Sequence, residues 1–137
     1  MLHHERLEPP DYVYPAHEWK IIEKRFYPRF LAQNETIFST GNGYIGMRGN
    51  FEDGAPVSQS GTFVNGFHET WPICYAEEAY GFARTGQTIV NVPDGRIIKL
   101  YDDDEPLFLP TANLLAFERV LDMQKGTLDR ELVWEMP

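Results

Sequence analysis

The sequence predicts an all-β fold, an antiparallel β-sandwich. Three observations predict it. Short runs rich in β-branched and aromatic residues recur along the chain, separated by turns built from Gly, Pro, Asn and Asp. Glycines stand inside or beside these runs, at Gly41, Gly43, Gly46, Gly49, Gly54, Gly61 and Gly66, where they mark bulges and close passages of chain. Few segments carry a firm helical period.

Taken in order, residues 1–18 read as an extended arm, with Pro9, Pro10 and Pro15 among polar neighbours and Tyr12, Val13 and Tyr14 as candidate anchors. Residues 19–137 read as the sandwich. Trp19, Ile22, Phe26 and Phe30 fall at helical spacing, but Pro28 interrupts a helix, and the segment is read as strand. The organising stretch is Asn34–Glu52. Its apolar runs Thr36–Ser39 and Tyr44–Arg48 flank Gly41-Asn42-Gly43, a tight turn between two strands. Gly61–Phe67 is a strand bounded by glycine, and residues 68–79 read as an aromatic-rich loop. Gln87–Val92 is a strand by its β-branched content; Pro93-Asp94-Gly95 turns the chain and Arg96–Tyr101 returns, the clearest hairpin in the sequence. Asp102–Pro106 is an acidic turn. Asn113–Met123 fits a helix stopped by Gly126, and equally the first of two strands joined at Lys125-Gly126. Thr127–Trp134 alternates, with Leu128, Arg130, Leu132 and Trp134 on one face.

Composition excludes several functions. A hydrophobic fraction of 42% and an aromatic fraction of 14% over 137 residues describe one globular domain. The net charge of −9 repels phosphate backbones and anionic membranes, so no nucleic-acid or membrane partner is expected. No stretch reaches membrane-span length and no secretory signal opens the chain; a cytoplasmic location is the default. The single cysteine, Cys74, permits no internal disulfide and reads as a buried inert thiol. His3, His4, His17 and His68 lack metal-ligand spacing, so no metal is expected. Gly41–Gly46 matches G-x-G-x-x-G, but a dinucleotide site needs that motif to open a helix, and Gly49-Asn50 make a poor one. No serine sits in a G-x-S-x-G elbow.

The order of blocks is itself informative. Asn34–Ser39 leads into Gly41–Glu52; then come Gly61–Phe67, Val90–Gly95 and Arg119–Met123, followed by Gly126, Leu128 and Arg130. From Trp19 to Trp134 this series resembles the N-terminal domain of glycoside hydrolase family 65, the maltose, trehalose and kojibiose phosphorylases with their acid-trehalase relatives. The resemblance implies a supersandwich-like N-terminal domain joined to a catalytic (α/α)6 barrel, which would be this chain's main partner. It also implies strand at Asn113–Met123. The general acid and the phosphate site would lie in the barrel, so no catalytic residue is carried onto these positions. The chain reads as part of a longer enzyme. That enzyme would take a glucose disaccharide, with inorganic phosphate as co-substrate and no cofactor, and give β-glucose 1-phosphate with inversion. A sandwich supplied in part would leave an edge or apolar face open, so self-association is expected.

Glycoside cleavage needs a protonated carboxyl at the leaving oxygen, which makes the acids of this chain candidates for that role. Glu52-Asp53-Gly54 and Asp102–Glu105 read as solvated turns, and Glu35 as a structural acceptor of backbone N–H groups or a partner of Arg48. The substrate-facing candidates are His68, Glu69, Trp71 and Tyr75: aromatic faces stack on sugar rings and neighbouring acids accept hydroxyl hydrogen bonds. The competing readings are a loop packed against a neighbouring barrel, or a free-standing carbohydrate-binding module with Trp71, Tyr75 and Tyr80 as its platform.

Overall fold

The computed structural model describes residues 8–135; the first part of the arm, with His3 and His4, lies outside the described residues. The strands are β1 (Lys20–Glu23), β2 (Thr40–Gly41), β3 (Ile45–Met47), β4 (Thr62–Pro72), β5 (Thr85–Asn91), β6 (Tyr101–Asp102), β7 (Glu105–Pro106), β8 (Asn113–Asp122) and β9 (Thr127–Glu135), with one short helix, α1 (Leu31–Ile37). They form sheets of order β1-β8-β9, β2-β3-β4-β5 and β6-β7, and every pairing is antiparallel. The expected all-β antiparallel class is met.

The β8–β9 hairpin follows from its alternation. Leu128, Arg130, Leu132 and Trp134 are half-buried, and the residues between them are exposed. Asp122 sets the turn by accepting the backbone N–H groups of Gln124 and Lys125. Asn113–Asp122 is therefore strand and not helix. On the inner face Phe117 joins Phe26, Phe51 and Leu109 in the core, with Leu31, Leu114 and Leu132 against it. Phe51 meets Phe26 edge-on at 5.5 Å and Phe117 at 6.2 Å between ring centroids.

Segment Arg48–Asp53 crosses this face, and each of its residues has a task. Gly49 is glycine for want of room: a β-carbon there would stand 2.6 Å from Phe38 Cβ. Its carbonyl accepts Arg119 Nη1–H at 2.9 Å. Asn50 holds Gly61 N–H and the Gln59 carbonyl, Phe51 fills the core, and Asp53 takes Arg130 in a two-pronged pair at 2.7 and 3.1 Å. Glu52 lies 3.0 Å from the same guanidinium.

Four expectations fail locally. The run Thr36–Ser39 is not the first limb of a hairpin, because Leu31–Ile37 is helical and only Thr40–Gly41 pairs with β3. The reason is tertiary. Asn34, Glu35 and Phe38 are all buried, and a strand would send the adjacent Asn34 and Glu35 to opposite faces, whereas a helix keeps all three on one side. Pro28 stands at the start of a 3-10 turn leading into α1, where its missing N–H costs nothing, and the strand expected across Trp19–Phe30 is confined to β1.

The hairpin expected from Gln87 to Tyr101 does not form either. β5 pairs with β4, while Asp94 binds the Arg96 backbone and guanidinium and Arg96 Nη2–H reaches the Arg48 carbonyl at 3.3 Å. Ile98 N–H then bonds the Glu52 carbonyl, so residues 96–98 leave the β5 edge for the central segment. Fourth, β4 runs on to Pro72, so the loop expected at 68–79 begins only after it. Gly46 lies within β3, so the G-x-G-x-x-G match opens no helix.

Of the arm's candidate anchors, Val13 is fully buried and its carbonyl accepts Lys24 N–H at 2.8 Å. Tyr14 donates to Asn34 Oδ1 at 2.6 Å, while Tyr12 is exposed and touches the Tyr27 hydroxyl at 3.2 Å. No helix of the described residues is long and apolar enough to cross a membrane.

Candidate functional site

The residues singled out as substrate-facing lie on the β4–β5 ribbon, but not together. Beyond Val64 the side chains of β4 are exposed on both faces. The two-residue strand period puts Glu69 and Trp71 on one face and His68, Thr70 and Pro72 on the other. His68 is thereby separated from Glu69 and Trp71, and its Nδ1 lies 3.1 Å from the Gly66 carbonyl. Gly66, at φ +80°, sits in the irregular stretch between Phe63 and His68 where the register with β5 shifts. Tyr75 lies beyond the strand end; its hydroxyl donates to the Ala83 carbonyl at 3.0 Å and its ring packs on Phe82 at 4.8 Å. Tyr80 is fully exposed. Cys74 is exposed beyond β4, against the expectation of a buried thiol, because the ribbon has no core of its own here.

Across from Glu69 and Trp71 the register places Thr88 and Gly86. A β-carbon on Gly86 would stand 2.5 Å from Trp71 Cε2 and 2.7 Å from both Cζ2 and Nε1. The nearest atom is the fused-ring carbon and its two ring neighbours are equally distant, so the indole lies with its face on the glycine. The ring is backed on one side and 46% exposed overall. Sequence reasoning found Trp71 and missed Gly86 and Thr88; their signal is positional and needs the β4–β5 register to be seen.

A strongly shifted, buried acid is another mark of a catalytic site, and Glu23 carries it. Burial pushes its carboxyl up from the usual range, opposed by the Arg119 charge and by hydrogen bonds from Arg119 and Asn34. Burial likewise pushes Arg119 down, opposed by Glu23. The geometry makes this pair structural. Arg119 Nε–H donates to Glu23 Oε2 at 3.0 Å with Nη2 at 2.8 Å from the same oxygen, and Asn34 Nδ2–H bonds the other oxygen. Glu23 is sealed from solvent and Arg119 is only 2% exposed, so no substrate atom reaches either. Glu35 is also structural: its two oxygens accept Ser58 and Gln59 N–H at 2.7 and 2.8 Å, and Arg48 Nη2 lies 3.8 Å away. Among the described residues no group of three His, Cys, Asp or Glu side chains is gathered as a metal set.

Comparison with known proteins places this geometry in context. Residues 21–137 match the family model described as "Glycosyl hydrolase family 65, N-terminal domain". The chain is 49% identical over 129 residues to the alpha,alpha-trehalose phosphorylase of Thermoanaerobacter brockii, covering 91% of this chain and 17% of that protein. It is 32% identical over 133 residues to the kojibiose phosphorylase of the same organism, covering 97% of this chain and 16% of that one. The solved structure "Putative kojibiose phosphorylase from human microbiome" superposes with a TM-score of 0.76 at 28% identity, over 91% of this chain and 17% of its own. The chain thus spans about a sixth of the length of the curated relatives it matches.

The buried network makes one prediction about pH. Burial first, and the Glu23 charge second, push the Tyr14 phenol up from 10.0 to about 12, against the Asn34 hydrogen bond and the Arg119 charge. A folded value above the unfolded one means that folding favours the neutral phenol. That contribution is complete below pH 10 and is lost between 10 and 12. Urea unfolding across this window should show stability falling in the wild type and falling less in Tyr14→Phe. Equal slopes would show that Tyr14 is not linked to the network.

Proposed function

The chain belongs to glycoside hydrolase family 65, as N-terminal-domain sequence, and from this membership we infer that it is the scaffold portion of a longer enzyme that cleaves an α-linked glucoside. The observation that carries the reading is the match of residues 21–137 to that domain, together with relatives named as trehalose and kojibiose phosphorylases. The parent reaction we propose is phosphorolysis of a glucose disaccharide such as maltose, trehalose or kojibiose, with inorganic phosphate as attacking group. Inversion at the anomeric carbon gives β-glucose 1-phosphate and a released sugar. The leaving oxygen needs one general acid, and phosphate itself replaces the second carboxylate of a hydrolase. Both belong to a catalytic (α/α)6 barrel outside these 137 residues. We place the enzyme in the cytoplasm, where phosphate and sugar phosphates are at hand.

The scaffold role is supported by where the acids went. Glu23, Glu35 and Asp53 hold Arg119, backbone N–H groups and Arg130, and so shape the domain rather than a bond-breaking site. The test is a chimera. The segment of the Thermoanaerobacter brockii trehalose phosphorylase that aligns with this chain is replaced by this chain. At 49% identity the chimera should fold and phosphorolyse trehalose within about tenfold of the parent rate, while the 137 residues alone turn over no glucose disaccharide. A soluble, dead chimera, or turnover by the chain alone, would overturn the assignment.

Self-association is the second expectation. Among the described residues β5 and β9 form open sheet edges, and Ile89 and Val133 are exposed on them. Sedimentation velocity should show mass rising with concentration; a monomer throughout the accessible range would contradict it.

A further inference from the structure

We propose that the Trp71 face of the β4–β5 ribbon is a subsite for a glucose-containing saccharide. The inference rests on the reading above only for its choice of glucosides as ligands. The face has what a pyranose needs. A flat aromatic surface takes the apolar C–H face of a sugar ring, and hydrogen-bonding groups beside it meet the hydroxyls. Trp71 supplies the surface, and the backbone of Gly86 fixes it from behind. Glu69, two residues along the strand, and Thr88, directly across from Glu69, stand beside the ring on the same face. The Glu69 carboxylate, the Thr88 hydroxyl and the Trp71 indole N–H have no hydrogen-bond partner among the described residues, so none would have to be released from the protein.

The charged Glu69 beside the Trp71 ring also argues against a protein occupant, since the centre of a protein interface is depleted of charge. A carboxylate is a good acceptor for paired sugar hydroxyls and a poor neighbour for a dry apolar contact.

The test uses the 137-residue chain, labelled with 15N and titrated with trehalose, kojibiose, maltose and maltotriose. The indole N–H resonance of Trp71, assigned by its absence in Trp71→Phe, should shift saturably in the millimolar range with at least one of them. Trp71→Ala should weaken that binding by about tenfold or more, as monitored on the Thr88 amide. Glu69→Gln and Thr88→Val should each weaken it by a few-fold. Gly86→Ala, which displaces the indole without removing it, should weaken it as Trp71→Ala does, and Trp19→Phe should leave it unchanged. No shift with any sugar, or binding that survives Trp71→Ala, overturns the proposal. So does a Trp71 signal that moves with protein concentration and resists added sugar, since that outcome makes the face a contact between copies. Family membership and the chimera result stand whichever way this titration falls.

Discussion

Arg119 is the charge around which this domain closes. Its guanidinium is buried, bonded to Glu23 on the neighbouring strand β1 and to the Gly49 carbonyl of the central segment. It is stacked 4.2 Å from the Phe38 ring centroid and 4.6 Å from that of Phe51. Burying such a pair is itself of little net benefit, because desolvation consumes most of the attraction. Removing one member is costly, because it leaves the other charged and unpaired. The pair therefore dictates arrangement: β1 must register with β8 so that Glu23 meets Arg119, and Gly49 must pass close enough for its carbonyl to be reached. The helix is drawn in by the same demand, since Asn34 completes the Glu23 carboxylate and Phe38 lies under the guanidinium.

This explains why some of the fold could be read from sequence and some could not. The alternation of Thr127–Trp134 is local, and it fixed a strand without help. Asn34–Glu52 is the organising stretch, but its first half is helical where the local pattern suggests strand. The helix there is only seven residues long, and what holds it are the Ser58 and Gln59 N–H groups that donate to Glu35 and the Glu23 carboxylate that accepts from Asn34, all distant in sequence. The hairpin assigned to residues 87–101 had every local signal and failed because Asp94, Arg96 and Ile98 are committed elsewhere. The structural role read for Glu35, as acceptor and Arg48 partner, was visible in its setting. The candidate site was half visible: the aromatics announce themselves, but whether Glu69 or His68 shares a face with Trp71 is a matter of strand against loop.

Burial and exposure divide along the chain. Asn34, Glu35, Phe38, Gly49 and Arg119 of the buried network lie in blocks through which the sequence resembles the family, and these positions are spent on shape. The β4–β5 ribbon is the opposite case, exposed on both faces and rich in aromatic side chains that contribute little to the core. In a longer phosphorylase-type protein such a ribbon is free to serve contact or recognition without endangering the scaffold behind it.

The most direct measurement of the central claim is a double-mutant cycle on Arg119 and Glu23, read by urea unfolding. If the pair organises the core, Arg119→Met and Glu23→Leu should each destabilise by about 3–5 kcal/mol, while the double variant loses much less than their sum, a coupling of at least about 2 kcal/mol. Single losses below about 1 kcal/mol, or losses that simply add, would show that the domain closes around something else.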